Sequence, residues 1–358
     1  MLCIEGVFTT MSMTYHEQLD RKNALKLREL QAELPAFAGD FFRAMEIKKA
    51  TNTRRNYAYD LSTFFYFLKT TNPYFKDKDI RTLPVSILDM IQPVDIEEYL
   101  SFLTYYEKDG QLYQNHEEGK ARKLATLNTF FGYFHKKEMI EKNAPSVVDV
   151  PRVKEKNIIR LDANEVAQLI DNIESGEKLT KQQKVWHDRN KLRDLAIVVT
   201  LLGTGVRVTE LVGLDISDLD FDNGAMRVIR KGGNEDIVYF GEEVEEMLRN
   251  YLDERLLMEP EPGNENALFI SQRNTRITVR SVERLVKKYA STATVKKITP
   301  HKLRSTYGTT LYQETGDIYL VADVLGHKNV NTTRKHYAAM KEDNKRKAAR
   351  IVQLREKE

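Results

Sequence analysis

A single cysteine, Cys3, in 358 residues excludes any disulfide within the chain, and a reducing, cytoplasmic compartment fits best. No apolar run approaches the ~18 residues of a membrane-spanning helix, so no membrane partner is expected. The opening residues MLCIEGVFTT are mildly apolar but lack a basic leader and an h-region, so no secretion signal is read there. Met11 and Met13 are alternative starts that would turn them into a leader. A surplus of charge is missing too: 56 basic against 53 acidic side chains leave +3. Net charge therefore argues neither for nor against a polyanionic partner, and any such surface depends on how the charges are distributed. What the chain does have is apolar material, 41% of residues, and a length that suggests two domains.

Residues 1–40 read as a leader followed by one charged helix, Tyr15 to Leu34, with Leu27, Leu30 and Leu34 on one side and Pro35 ending it. That is the pattern of a packing or oligomerisation helix. Residues 41–143 read as helical throughout. Thr51 or Thr53 caps a helix whose Tyr57, Leu61, Phe64, Phe65 and Leu68 have the spacing of a buried face. Asp95 with Glu98 opens a helix bearing Ile96, Tyr99, Leu103 and Tyr106, and Asn115 leads into one bearing Leu124, Leu127, Phe131 and Phe134. Lys48, Lys49, Arg54 and Arg55 crowd one helix start, and Lys120, Arg122 and Lys123 another. Such clusters can grip phosphates of a duplex or simply face solvent, and nothing among them specifies base edges.

Residues 144–160, with Pro145 and Pro151 and little periodicity, read as an interdomain linker, and a second domain spans 161–340. Asp162 and Glu165 form a capping box for a helix with Val166, Leu169, Ile170 and Ile173. Residues 174–191 are polar and read as a loop or short insertion. The apolar run Leu195 to Leu202 is a buried helix stopped by Gly203 and Gly205. Arg207 follows at once. An arginine there is partly desolvated and needs an anion, which Glu210 provides; a purely structural pair is the plain alternative. Met226 to Arg230 and Ile237 to Phe240 read as strands joined by KGGNED, with Lys231 at the turn, and Leu268 to Ile270 as a short strand. A helix with Val282, Leu285, Val286 and Tyr289 comes next.

Residues 299–340 read as short adjacent helices. Thr299 is an N-cap candidate and Pro300 suits the first helical position. His301 and Arg304 lie one turn apart near that N-terminus, where backbone N–H groups favour an anion. Asp317 opens a helix carrying Leu320, Val321 and Val324; Gly326 stops it and leaves His327 at the turn. Asn331 or Thr332 caps a helix carrying Tyr337. A phenol can attack phosphorus, guanidinium can hold its oxygens, and imidazole can hydrogen-bond or move a proton. Each residue alone is ordinary surface or packing, so the weight lies in the combination. Residues 341–358 read as a tail helix whose Ile351, Val352 and Leu354 could dock on another protein surface.

In the order Arg207, Lys231, His301, Arg304, His327, Tyr337, the chain resembles the tyrosine recombinase (phage integrase) family, most of all its longer Xer-type members. The segments GTGVRVTELVGL, TPHKLRSTYGTTL and VLGHKNVNTTRKHY carry the resemblance. It implies a mainly α, two-domain architecture: a helical core-binding (DNA-binding) domain over 41–143 and a mixed α/β catalytic domain over 161–340 with a small sheet or hairpin. It also implies metal-free strand exchange with no cofactor. Tyr337 attacks the scissile phosphate to give a 3′-phosphotyrosine and a 5′-hydroxyl, while Arg207 and Arg304 hold the non-bridging oxygens. Lys231 protonates the departing 5′ oxygen, His301 accepts or shares the tyrosine proton, His327 hydrogen-bonds the phosphate, and Glu210 orients Arg207. The implied partners are a duplex DNA recombination site, a homo-tetramer acting on paired sites through a Holliday junction, and a DNA translocase or accessory protein. Chromosome-dimer resolution is the expected role. Integration or excision of a mobile element is the alternative, and a non-catalytic DNA-binding protein on the same scaffold a further one. The chain departs from the family pattern at Ser305, where many relatives have a second histidine, and at Asn234-Glu235-Asp236, where Lys-x-Arg is common.

Overall fold

The computed structural model describes residues 13–153, 159–327 and 330. Tyr337, the helix expected around it and the tail 341–358 lie outside them, as do residues 154–158 of the expected linker. The chain divides into two units, residues 1–156 and 157–358.

In the first unit, α1 (Tyr15–Ala32) opens on a capping box in which Thr14 and Glu17 satisfy each other's backbone N–H groups, a device worth about 1 kcal/mol. Leu27, Leu30 and Leu34 are buried in the same core as the helices that follow, so this helix packs as part of the first unit. Those helices are α2 (Ala38–Glu46), α3 (Thr51–Thr71), α4 (Ile87–Met90), α5 (Pro93–Phe102) and α6 (Glu117–Lys136). Aromatic rings fill the space between them edge to face, as in Phe41 on Phe130 with centroids 5.1 Å apart and Phe64 on Tyr99 at 5.2 Å.

Local chemistry shifts several expected boundaries. Neither Thr51 nor Thr53 caps α3, which begins at Thr51 after Ala50. Helix α5 starts at Pro93, because proline favours the first turn; Asp95 then sits three positions in and accepts the Gln92 N–H at 2.8 Å. The largest departure is Tyr106, which lies not on a helix but on β1 (Tyr106–Lys108), paired antiparallel with β2 (Gln111–Tyr113). Asp109 and Gly110 turn between them at φ 53° and 70°, the primed turn that an Asp-Gly pair favours. Ala144 and Val148 are buried in this core as well, so the first residues read as linker belong to the unit.

In the second unit, the Asp162–Glu165 capping box starts α7 (Ala163–Ser175). The polar stretch read as a loop contains α8 (Lys181–His187), started by a Thr180–Gln183 box. Helix α9 (Lys191–Thr204) is central: Leu195 to Val199 and Leu201 are buried, and it packs against α7 and four further helices. Those are α10 (Val208–Gly213), α11 (Glu242–Arg255), α12 (Val279–Ala293) and α13 (Pro300–Thr315), with α14 (Ile318–Val324) following. Burial of this middle stretch is why its residues from Leu195 to Val199 are all apolar. Gly203 does not stop it. It lies inside the helix, where a Cβ would come within 2.4 Å of Val244, and Gly205 at φ 64° forms the end. Strands β3 (Leu219–Asp220), β4 (Ala225–Ile229) and β5 (Glu235–Tyr239) make one antiparallel sheet in that order. Residues 268–270 form no strand; isolated bridges involve Ala267 and Ile270 instead.

A buried polar chain crosses this unit and gives its stability a pH dependence. Asp194 is 2% exposed and accepts from the Tyr289 hydroxyl at 3.0 Å and from Arg193 at 2.7 Å. Because that hydroxyl's proton points to Asp194, its oxygen accepts from Nδ1 of His187 at 3.0 Å. Burial, and secondarily Lys288, depress the His187 pKa. The unfolded chain then binds a proton more readily than the folded one. The contribution is complete above the unfolded value of ~6.5 and is lost as pH falls below it. The Tm should drop between about pH 7.5 and 5.5, and His187→Gln should flatten that part of the profile in thermal melts at fixed ionic strength.

Candidate active site

The left-handed turn at Gly205 ends α9 and delivers Arg207 as the extended residue before α10. Its backbone N–H donates to Oε2 of Glu210 at 2.8 Å, and its guanidinium donates to Oε1 at 2.7 Å. The same guanidinium donates to the Gly326 carbonyl at 3.3 Å. Glu210 is buried, so it needs cationic partners, whereas the Arg207 side chain keeps 32% of its surface exposed. A guanidinium has more N–H donors than these contacts use, which leaves Arg207 able to hold an anion as well.

Arg304, one turn into α13, is 4% exposed. It donates to the Gly205 carbonyl at 2.5 Å and to the Leu325 carbonyl. Both acceptors sit where a helix has just ended and carbonyls lack intrahelical donors. At the end of α14, Gly326 at φ 58° donates to Asp323 at 2.7 Å and His327 donates its backbone N–H to Ala322 at 2.8 Å. This paired closure is the Schellman motif, and it fixes half-buried His327 as the next residue out. Three successive carbonyls at that end accept from three guanidiniums: Val324 from Arg230 at 3.2 Å, Leu325 from Arg304, and Gly326 from Arg207 at 3.3 Å. Cations there also meet the negative end of the helix dipole.

The turn after α14 thus brings together Arg207, Glu210, Arg304 and His327. His301 is exposed on the first turn of α13, after Thr299, which occupies the N-cap position without a side-chain capping bond. Ser305 turns its hydroxyl back onto the His301 carbonyl at 3.0 Å. Lys231 is exposed in the β4–β5 turn. Tyr337 lies outside the described residues. The residue that sequence reasoning missed is Arg230, 10% exposed and bonded to Glu210 at 3.1 Å and to Asp236 at 2.9 Å. Opposite charges flanking one short turn were the available signal.

The candidate phosphate-gripping residues fare differently. Lys48 and Lys49 are exposed. Arg54 is paired with Glu46 at 3.0 Å, Arg55 donates to Asn23, and Lys120 is paired with Glu117 at 3.2 Å. Arg122, about half exposed, pairs with Asp60. Lys123 departs from the expected phosphate contact. It is 6% exposed and bonded at 3.0 Å to Asp60, itself 1% exposed, and burial lowers its pKa. Its ammonium neutralises an interior carboxylate and is not presented to a phosphate.

The model of the phage integrase family matches residues 159–344. A tyrosine recombinase XerC of Caldanaerobacter subterraneus subsp. tengcongensis is 32% identical over 298 residues, covering 80% of this chain and 77% of its own length. The XerC of Syntrophus aciditrophicus is 31% identical over 314 residues, covering 84% and 91%. A crystal structure of the XerH site-specific recombinase bound to palindromic difH substrate, a post-cleavage complex, shares the fold with a TM-score of 0.60 at 22% identity, covering 84% of this chain and 80% of that one. The family match and these relatives show that the chain belongs to the phage integrase family of tyrosine recombinases, enzymes that cleave and rejoin DNA.

Proposed function

We propose that the chain is a site-specific recombinase that works through a 3′-phosphotyrosine formed by Tyr337 and a Holliday junction, and that its role is Xer-like resolution of chromosome dimers. The observation that carries the chemical reading is the convergence of Arg207 and Arg304, with His327 beside them, on one helix end. Planar guanidinium suits the non-bridging oxygens of a phosphate, where charge builds as the phosphorus is attacked. Both arginines are already held by carbonyl or carboxylate partners, so little reorganisation is needed during the reaction. Glu210 fixes Arg207, His327 hydrogen-bonds the phosphate, and His301 accepts or shares the phenol proton. The phosphotyrosine bond conserves the energy for rejoining.

Lys231 is assigned as the acid for the departing 5′ oxygen. Lys231→Ala should slow cleavage of a normal site by about 10²-fold or more. Replacing the 5′ oxygen by sulfur, a far better leaving group, should restore the rate. Persistent inactivity on the sulfur substrate would remove Lys231 from the role.

Duplex DNA is the substrate in this reading, with a homo-tetramer assembled on paired sites; the exposure of Lys48 and Lys49 in the first unit leaves them open to phosphates. XerC relatives over most of the chain support the Xer-type reading, for which the expected role is chromosome-dimer resolution. Sequencing DNA crosslinked to the protein in cells tests this: one fixed chromosomal site fits resolution, whereas the ends of a mobile element would overturn it.

A further inference from the structure

We propose that Arg230 is a positioning residue that ties the root of the β4–β5 hairpin to the phosphate-holding end of α14, and so sets where Lys231 can present its ammonium. The proposal rests on the reading of Lys231 as the acid. One guanidinium reaches three ways: to Glu210 Oε2 at 3.1 Å, to Asp236 Oδ2 at 2.9 Å and to the Val324 carbonyl at 3.2 Å. The first and third partners belong to elements outside the hairpin: Glu210 itself holds Arg207, and Val324 lies two residues before Gly326, whose carbonyl also accepts from Arg207. The backbone of Arg230 is fixed as well, its N–H donating to Asn234 at 2.7 Å and its carbonyl accepting from Gly233 at 3.0 Å.

Everything changes one residue later. Lys231 is exposed, and Gly232 and Gly233 follow at φ 102° and 85°, a backbone open to glycine and strained for other residues. The chain passes from a side chain 10% exposed to a solvated ammonium in one step. Arg230 is therefore the last fixed point before the lysine, and it fixes that point to the residues that hold the phosphate. Gly326 is part of the fit, since a Cβ there would stand 3.0 Å from the Arg230 guanidinium carbon. Asp236 completes it from the returning strand, at one of the positions where the chain departs from the family's basic pattern. Lysine would not substitute, because its donors all sit on one nitrogen, whereas the three partners are met by three separate guanidinium nitrogens.

The test is single-turnover cleavage of the recovered site, with an oxygen or a sulfur 5′ leaving group, by wild type, Lys231→Ala, Arg230→Gln, Arg230→Lys and Asp236→Asn. On the oxygen substrate, Arg230→Gln and Arg230→Lys should both lose about 10²-fold, the scale of a displaced catalytic group, with DNA affinity within about twofold of wild type. On the sulfur substrate both should return to within a few-fold of wild type. Asp236→Asn, which leaves the Glu210 and Val324 contacts in place, should show a smaller loss with the same recovery and covers the case in which the Arg230 variants do not fold. If sulfur restores Lys231→Ala but not the Arg230 variants, Arg230 acts through Glu210 on Arg207 and the proposal is overturned. If sulfur fails to restore Lys231→Ala, the acid assignment fails first and the proposal with it.

Discussion

Tyr337→Phe should bind its DNA site with unchanged affinity and form no covalent protein–DNA adduct on a nicked substrate that traps the intermediate, a loss of at least about 10⁴-fold. The substitution removes one oxygen and keeps the ring, so packing and charge survive while the only atom able to bond phosphorus is gone. Free phenol ionises near pH ~10, so the attacking hydroxyl also depends on a neighbour that takes its proton, the role assigned to His301. Another phenol, Tyr307, lies close to the arginine cluster: its ring stands where a Cβ on Gly205 would be, at 2.4 Å. Burial raises the Tyr307 pKa, which keeps it protonated and makes it a poor nucleophile. Tyr307→Phe should therefore still form the adduct. An adduct that survives in Tyr337→Phe and disappears in Tyr307→Phe would move the chemistry to residue 307.

The parts of the site legible in the sequence are those governed by local rules. Gly326 as the stop of α14 and Asp317 as its cap follow from backbone preferences within a few residues, and the Arg207–Glu210 pair follows from helix spacing. Arg230 was hidden because its meaning comes from Glu210 and Val324, neither near it in sequence. Lys123 misled for the same reason. Its neighbours Lys120 and Arg122 suggest a basic surface, but Asp60, on another helix, draws the side chain inward. The β1–β2 hairpin differs in kind. Helical periodicity runs on through Tyr106, but Asp109-Gly110 is a turn signal, and tertiary packing of Tyr106 ring to ring with Phe102, 5.0 Å apart, completes the hairpin's anchorage.

Arg304→Lys should lose about 10³-fold or more in cleavage while melting within a few degrees of wild type. Arg304 differs from Arg207 in having almost no exposed surface, and it joins three elements: it projects from α13, reaches the carbonyl that ends α9 and reaches the carbonyl that ends α14. A planar fork can serve both carbonyls from separate nitrogens and still turn N–H groups to an anion. A lysine ammonium can approach one carbonyl, keeps the positive charge and leaves the geometry unfilled. Charge alone would then be shown to be insufficient. Arg304→Met separates the structural share, since it leaves the Gly205 and Leu325 carbonyls without this donor, at about 1–3 kcal/mol for a buried group left unsatisfied. The methionine variant should therefore melt lower than the lysine variant although both are inactive. Cleavage within about tenfold of wild type in Arg304→Lys would make Arg304 a staple between helix ends, and would leave Arg207 as the guanidinium that faces the phosphate.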